Sequence, residues 1–347
     1  MTVTSAAGDS PFAGFEPHPL LWNGHLQTLA AAWLTGRVRL DRAAREHRVP
    51  LADGDRLVVH EDCPTAWQPP DPAAVMLHGL CGSAASSYMS RIAGKLIQAG
   101  QRTFRVDMRG CGAGHGLAAH PYHAGRSDDL AAVVEFVAGL CPASPIVLVG
   151  FSLGGNILLK WLGEQGTNPP QVVTRAVAVN PPVDLQTCTN HLSSFWGGFY
   201  DRHFAWLLCR QIRNTPHWRA ALPAAWSAGR PRRLVDFDET FTAPRAGFGS
   251  AADYYHHSSA ARVIDRIAVP TLVLASCDDP VIPVHTLQQQ PWPGCVQLHV
   301  APRGGHLGYI ARSSGRDPDR HWMDWRVVDW LTAEEESDIG ASTRLNI

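Results

Sequence analysis

The sequence predicts an α/β fold, with a mostly parallel sheet covered on both faces and one helical insertion. Three observations lead there. Short β-branched runs end abruptly at turn residues, amphipathic segments fill the gaps between them, and the alternation stops once, after Asp184.

Taken in order, Ala74 to Leu77, Thr103 to Val106, Ile146 to Val149, Ala176 to Val179, Thr271 to Ala275 and Val296 to Val300 read as strands. Most are continuously apolar, as strands buried on both faces require. Asp128 to Leu140 carries Leu130, Val133, Val134 and Val137 at helical spacing, and Asn156 to Glu164 follows the Ile146 strand directly. From 185 to 260 the chain is rich in Trp, His and Arg, with a helical piece at Phe199 to Arg213 and no convincing strand. It is expected to form a cap, with 1–184 and 261–347 as two parts of one core. A final amphipathic helix is expected at Trp322 to Leu331.

The chain has 347 residues, 45% of them hydrophobic and 18% charged, with a net charge of -1. That composition is globular and supplies no basic surface for nucleic acid. The cysteines are scattered singly, with no Cys-x-x-Cys pair, so reduced thiols are expected. Met1 to Ser10 has no signal-peptide pattern, and no apolar run approaches the ~18–20 residues of a membrane span. A cytoplasmic protein without an integral membrane segment is the expectation, and the oligomeric state stays open.

The chemistry is concentrated in four places. Ile146 to Asn156 runs strand, Gly150-Phe151-Ser152-Leu153-Gly154, helix, which is the context in which Gly-x-Ser-x-Gly marks a nucleophile. A turn this sharp crowds the backbone, so Gly150 and Gly154 avoid side chains and Ser152 projects in a strained conformation. A serine hydroxyl needs a base, and the base an orienting acid, so an acid and then a histidine are expected downstream. Asp278 and Asp279 follow the Thr271 strand; the Asp-x-x-x-Pro spacing to Pro283 favours Asp279, with Asp278 as the alternative. His306 sits after the last strand in the loop Arg303-Gly304-Gly305-His306-Leu307-Gly308, where glycines let the imidazole reach inward. His78-Gly79-Leu80 follows an earlier strand, so the Leu80 and Leu153 backbone amides are the expected oxyanion donors.

Together these residues resemble the α/β-hydrolase superfamily and, more narrowly, its YheT-like branch of esterases, AB-hydrolase family four. The resemblance covers nearly the whole chain. Its further carriers are Asn23 to Thr28, Arg109 to Gly112, Tyr122 to Arg126, Phe237 to Pro244 and Asp253 to Tyr255. One departure is the segment Gly110 to His115, richer in glycine than the branch. The resemblance implies a sheet of about eight strands, a Ser152–Asp279–His306 triad, a small-molecule or lipid ester as substrate, and no cofactor.

Other signals are weaker. His115, His120 and His123 near Cys111 match no strong zinc spacing, and His256-His257 reads as cap surface or pocket lining, so no metal is expected. Lys160 lies eight residues past Ser152, about 12 Å along a helix, too far to act as its base. Trp196, Phe199, Tyr200, Phe204, Trp206 and Leu207 read as packing between cap and core, and could also line an acyl pocket. Two other functions share these residues: acyl transfer to an alcohol or thiol, and ligand binding without turnover. Serine at the elbow, where a dehalogenase needs a carboxylate, disfavours dehalogenation.

Overall fold

The computed structural model describes residues 15–33, 40, 44–194, 198–227, 229–312 and 317–333. Trp196 and the Met1 to Ser10 segment lie outside them.

Eight strands form one sheet in the order β1-β2-β4-β3-β5-β6-β7-β8. They are β1 (Arg45–Pro50), β2 (Arg56–Asp62), β3 (Ala73–Leu77), β4 (Arg102–Asp107), β5 (Ile146–Phe151), β6 (Val173–Val179), β7 (Thr271–Ser276) and β8 (Val296–Ala301). β1 pairs antiparallel with β2 and β2 with β4; every other pairing is parallel. The last six strands sit within a few residues of the apolar runs that predict them.

The pleat divides the core into two. Val75, Leu77, Leu148, Ala178 and Val273 face one side, against helices α3 (Ser127–Leu140) and α4 (Leu153–Gln165). Ala74, Met76, Val149, Val177 and Leu274 face the other, against α2 (Ser87–Gln98) and the C-terminal helix Trp322–Thr332. This alternation along each strand is what a buried sheet with helices on both faces demands.

β1 and β2 are the two strands without a counterpart in the sequence reading. Their segments carry Arg, His, Glu and Asp, and the apolar run they contain, Leu57 to Val59, is only three residues long. The charges are absorbed by neighbours: Arg102 Nη2 donates to Glu61 at 2.6 Å, Arg105 Nη2 to Asp62 at 2.8 Å, and His60 Nε2 lies 2.8 Å from Asp107.

Between β6 and β7 the described residues form helices and turns and no strand. They include α5 (Leu185–Ser194), α6 (Phe199–Asn214) and the helix Ala251–Ser258. Asn156 on α4 ties this region to the sheet layer: its Nδ2 donates to Ala124 O and Ser258 O, and its Oδ1 accepts from Ala260 N. α1 (Gly24–Trp33) precedes the sheet. Among the described residues no helix is long and apolar enough to cross a membrane.

The sheet order opens a crevice. The chain leaves β3 for β4 on one side and returns to β5 on the other, so the loops after β3 and β5 diverge at a topological switch point. Leu77 and Gly150 are register partners, which sets the His78 loop beside the Ser152 turn.

Arg109, just past β4, holds the base of this rim. It is 1% exposed and binds three carboxylates: Nη1 donates to Asp53 (2.6 Å) and Asp55 (2.7 Å), and Nη2 to Asp129 (2.6 Å). Burial works against its charge, but the carboxylates of Asp129 and Asp53 outweigh it and hold the guanidinium above its ordinary range. Replacing it strands buried anions, so Arg109→Ala is expected to lower unfolding free energy by roughly 3–5 kcal/mol in urea titrations.

Candidate active site

Ser152 sits at φ 49° and ψ -119°, a region that a residue with a Cβ occupies only under constraint. The constraint is visible on both sides of it. A Cβ on Gly150 would lie 2.4 Å from Gly154 O, and one on Gly154 would lie 2.6 Å from the carbonyl oxygens of Leu77 and His78. The two glycines are therefore sites of backbone contact, as their spacing predicts.

His306 lies between Ser152 and Asp279. Its Nε2 is 2.9 Å from Ser152 Oγ and its Nδ1 is 2.8 Å from Asp279 Oδ2. A carboxylate only accepts, so Nδ1 carries the proton and Nε2 accepts from the serine hydroxyl. Asp279 also accepts from Val281 N (2.7 Å), Ile282 N (3.0 Å) and Asn180 Nδ2 (2.6 Å). Tyr309 OH donates to Asn180 Oδ1 at 3.0 Å, which fixes the direction of that amide.

Asp278, the alternative acid, does something else. Its Oδ1 accepts from Gly305 N at 2.9 Å, tying the acid turn to the histidine loop. Thr28 of α1 supports the same loop: its Oγ1 accepts from His306 N at 2.8 Å and donates to Gly24 O at 2.7 Å. Gln27 brackets Ile310, donating to its oxygen at 3.0 Å and accepting from its nitrogen at 2.8 Å. Here the Asn23 to Thr28 motif finds its structural reason.

The loop after β3 leaves one amide over. Gly79 N donates to Tyr88 OH (2.9 Å), Cys81 N to Tyr122 OH (3.0 Å) and Gly82 N to Gly79 O (3.0 Å). Among the described residues the amides of Leu80 and Leu153 have no hydrogen-bond partner. His78, fully buried, has Nδ1 2.7 Å from Gly79 O and accepts from Met108 N at Nε2. Burial lowers its pKa and keeps it neutral. Gly79 O and Leu80 N–H belong to one peptide plane and point oppositely, so anchoring the oxygen aims the N–H.

A cavity of about 550 Å³ reaches His306 and is lined by Phe199, Tyr200, Phe204 and Leu207 of α6 among others. Phe199 and Trp206 are about half exposed, at 51% and 41%, so the aromatic cluster is only partly interior packing. A second, smaller cavity is lined by Leu80 and Leu153, with Trp218 at its wall. The glycine-rich segment Gly110 to His115 bears on this wall, because a Cβ on Gly110 would lie 2.1 Å from the Trp218 ring.

The histidines weighed as metal ligands are dispersed. His115 meets Asn214 O, and His123 Nδ1 accepts from Gly125 N. His120 stands with Asp53 and Asp55, but there the Arg109 guanidinium occupies the place a cation would take. His257 pairs with Asp253 on an exposed face, and Lys160 bonds Glu164 and lies near Ser127 rather than Ser152.

A family model described as alpha/beta hydrolase fold matches residues 72–312, more than half of the chain, and the matched span includes Ser152, Asp279 and His306. The chain belongs to the α/β-hydrolase family. Within it, this hydrolase is 29% identical over 340 residues to the "Putative esterase YheT" of Escherichia coli (strain K12), covering 97% of this chain and 98% of that one. That likeness runs end to end and matches the YheT-like branch. It is 25% identical to human Phospholipase ABHD3, over 85% of this chain and 73% of the relative. The Pyrococcus furiosus esterase Pf2001 shares the fold of this hydrolase, with TM-score 0.53 and 18% identity over 85% of this chain and 97% of that one.

Motif spacing pointed to Ser152, Asp279, His306, Leu80 and Leu153. Thr28 and Tyr122 lie in segments that carry the family resemblance but come with no role attached, and Asn180, Tyr309 and Tyr88 have no sequence signal, since each acts through a partner distant in sequence or a backbone atom. Close approach makes one of these supports testable. A Cβ on Gly24 would lie 1.8 Å from Asp278 O, whereas one on Gly139, on the exposed side of α3, meets nothing within 4 Å. Gly24→Ala is expected to destabilise by about 1–3 kcal/mol. Gly139→Ala is expected to stabilise by about 0.5–1 kcal/mol in the same denaturation assay.

Proposed function

We propose that this hydrolase cleaves carboxylic esters through an acyl-serine intermediate, with Ser152 as nucleophile, His306 as general base and Asp279 as orienting acid. The observation that carries this is the unbroken series from Ser152 Oγ through the His306 ring to Asp279, at 2.9 and 2.8 Å. His306 takes the hydroxyl proton as Ser152 Oγ attacks the ester carbonyl, and then gives it to the departing alcohol. Water, deprotonated by the same imidazole, then releases the acid and restores the serine. Asp279 stays ionised throughout and stabilises the imidazolium.

The tetrahedral oxyanion falls to the amides of Leu80 and Leu153, whose N–H groups have no other partner among the described residues. Preorganised donors of this kind are worth about 3 kcal/mol each, because they pay no reorganisation as charge develops. Residues 185–260 act as a cap over a core made of 1–184 and 261–347. The mostly apolar lining of the larger cavity suits small-molecule or lipid esters. The relatives named esterase and phospholipase support the same substrate class.

Two measurements follow. Ser152→Ala is expected to keep the fold by circular dichroism and to lose p-nitrophenyl butanoate turnover by at least about 10⁴-fold; undiminished turnover would refute the nucleophile. His78 acts by positioning: His78→Ala frees the Gly79–Leu80 peptide and is expected to lower kcat by about 10–100-fold with KM nearly unchanged. A rise in KM alone would show that His78 only shapes the pocket.

A further inference from the structure

We propose that the two cavities divide the ester between them, a short acyl group in the smaller and a long apolar alcohol portion in the larger. This rests on the serine-hydrolase reading and adds the substrate class to it. The direction in which the alcohol leaves separates the two halves. His306 must protonate the leaving oxygen, so that oxygen and the chain behind it depart on the side of the imidazole. The cavity lined by His306 is the larger one, with Leu307, Val281 and the N-terminal half of α6 around it. The smaller cavity touches neither His306 nor its loop. It is lined by Leu80 and Leu153, whose amides take the oxyanion, and this is where the third substituent of the carbonyl carbon, the acyl chain, is left to go.

The sizes then set the chemistry. The larger cavity, about 550 Å³, is in the range that holds a lipid-sized group. The smaller is about 70 Å³ and closed by large buried side chains, Trp218, Phe237 and Phe241 among them. It is about an eighth the size of the larger cavity, so the short chain belongs here and the long one there. Asp238 also lines it, but burial raises that carboxyl to about 6, and Thr242 Oγ1 and Tyr255 OH both donate to it. Its oxygens are thereby turned to partners in the wall, and the remaining lining is largely apolar.

α6 spans both spaces and supplies the discriminating pair. Leu207 lines the larger cavity and its neighbour Leu208 the smaller, about 100° apart around the helix. Neighbouring residues therefore govern different halves of one substrate.

The test uses the full-length protein and two ester series followed by acid release: octyl esters of butanoic to decanoic acid, and butanoate esters of ethanol to decanol. Selectivity is read as ratios of kcat/KM, which cancel the fraction of each variant that folds. A deleted methylene in such a pocket changes discrimination by tenfold or more, so Leu208→Ala is expected to raise the decanoyl-to-butanoyl ratio by about tenfold. Its decyl-to-ethyl ratio should stay within about twofold of wild type. Leu207→Trp is expected to do the converse, lowering the decyl-to-ethyl ratio by about tenfold with the acyl ratio held. Acyl selectivity that follows Leu207, or two variants that shift neither ratio, would overturn the division while the hydrolase reading stands. Failure of wild type to cleave any ester in either series would remove the hydrolase reading itself, and the division with it.

Discussion

A carboxylate withdrawn from water stays an anion only where donors surround it, and Asp279 is met by four. Two are backbone amides of its own turn, one is Asn180 Nδ2, and the last is the imidazole of His306. Because three of those partners are fixed by β6 and the acid turn, the fourth has one orientation open to it. The ring stands with Nδ1 toward Asp279, and that leaves Nε2 for Ser152. Tyr309 extends the order outward through Asn180, and burial together with the nearby Asp279 charge keeps its phenol protonated as the donor. The orientation and tautomer of the His306 ring are thus a property of the rim as a whole.

The rim is assembled from chain segments that are far apart, and close backbone approach holds them. α1 reaches the acid turn only because Gly24 has no side chain, and from there Thr28 takes the His306 amide. On the opposite side, β3 and β5 are register partners, so the strained Ser152 turn and the His78 loop share one crevice. Tyr88 and Tyr122 consume the amides on either side of Leu80, and His78 fixes the plane of the peptide between them. Each of these contacts is small alone. Their joint effect is to leave two N–H groups unpaired beside a serine hydroxyl, which is costly for a fold and useful for a reaction that develops negative charge there.

What was legible in the sequence follows from range. Gly150, Ser152 and Gly154 obey local sterics within five residues, and strands buried on both faces write themselves as apolar runs; those features could be read directly. Asp279 and His306 were legible through chain order, each following a strand of the sheet. β1 was not, because it is a largely exposed edge strand, and β2 was not, because its buried acids Glu61 and Asp62 are neutralised by Arg102 and Arg105 on β4, a pairing with no local trace. Thr28 stood out only as part of a family-like segment, and its contact was hidden because its partner is 278 positions away. The choice between Asp278 and Asp279 needed geometry: adjacent carboxylates point to different atoms, one to the Gly305 amide and one to the imidazole.

In the reaction we propose, hydroxyl, imidazole and two free amides converge on one reacting carbon. A crystal structure of the protein after reaction with a fluorophosphonate tests this most directly, since the adduct mimics the tetrahedral intermediate. We expect phosphorus bonded to Ser152 Oγ, with a phosphoryl oxygen about 3 Å from the nitrogens of both Leu80 and Leu153. An adduct on another residue, or a phosphoryl oxygen turned away from both amides, would contradict it.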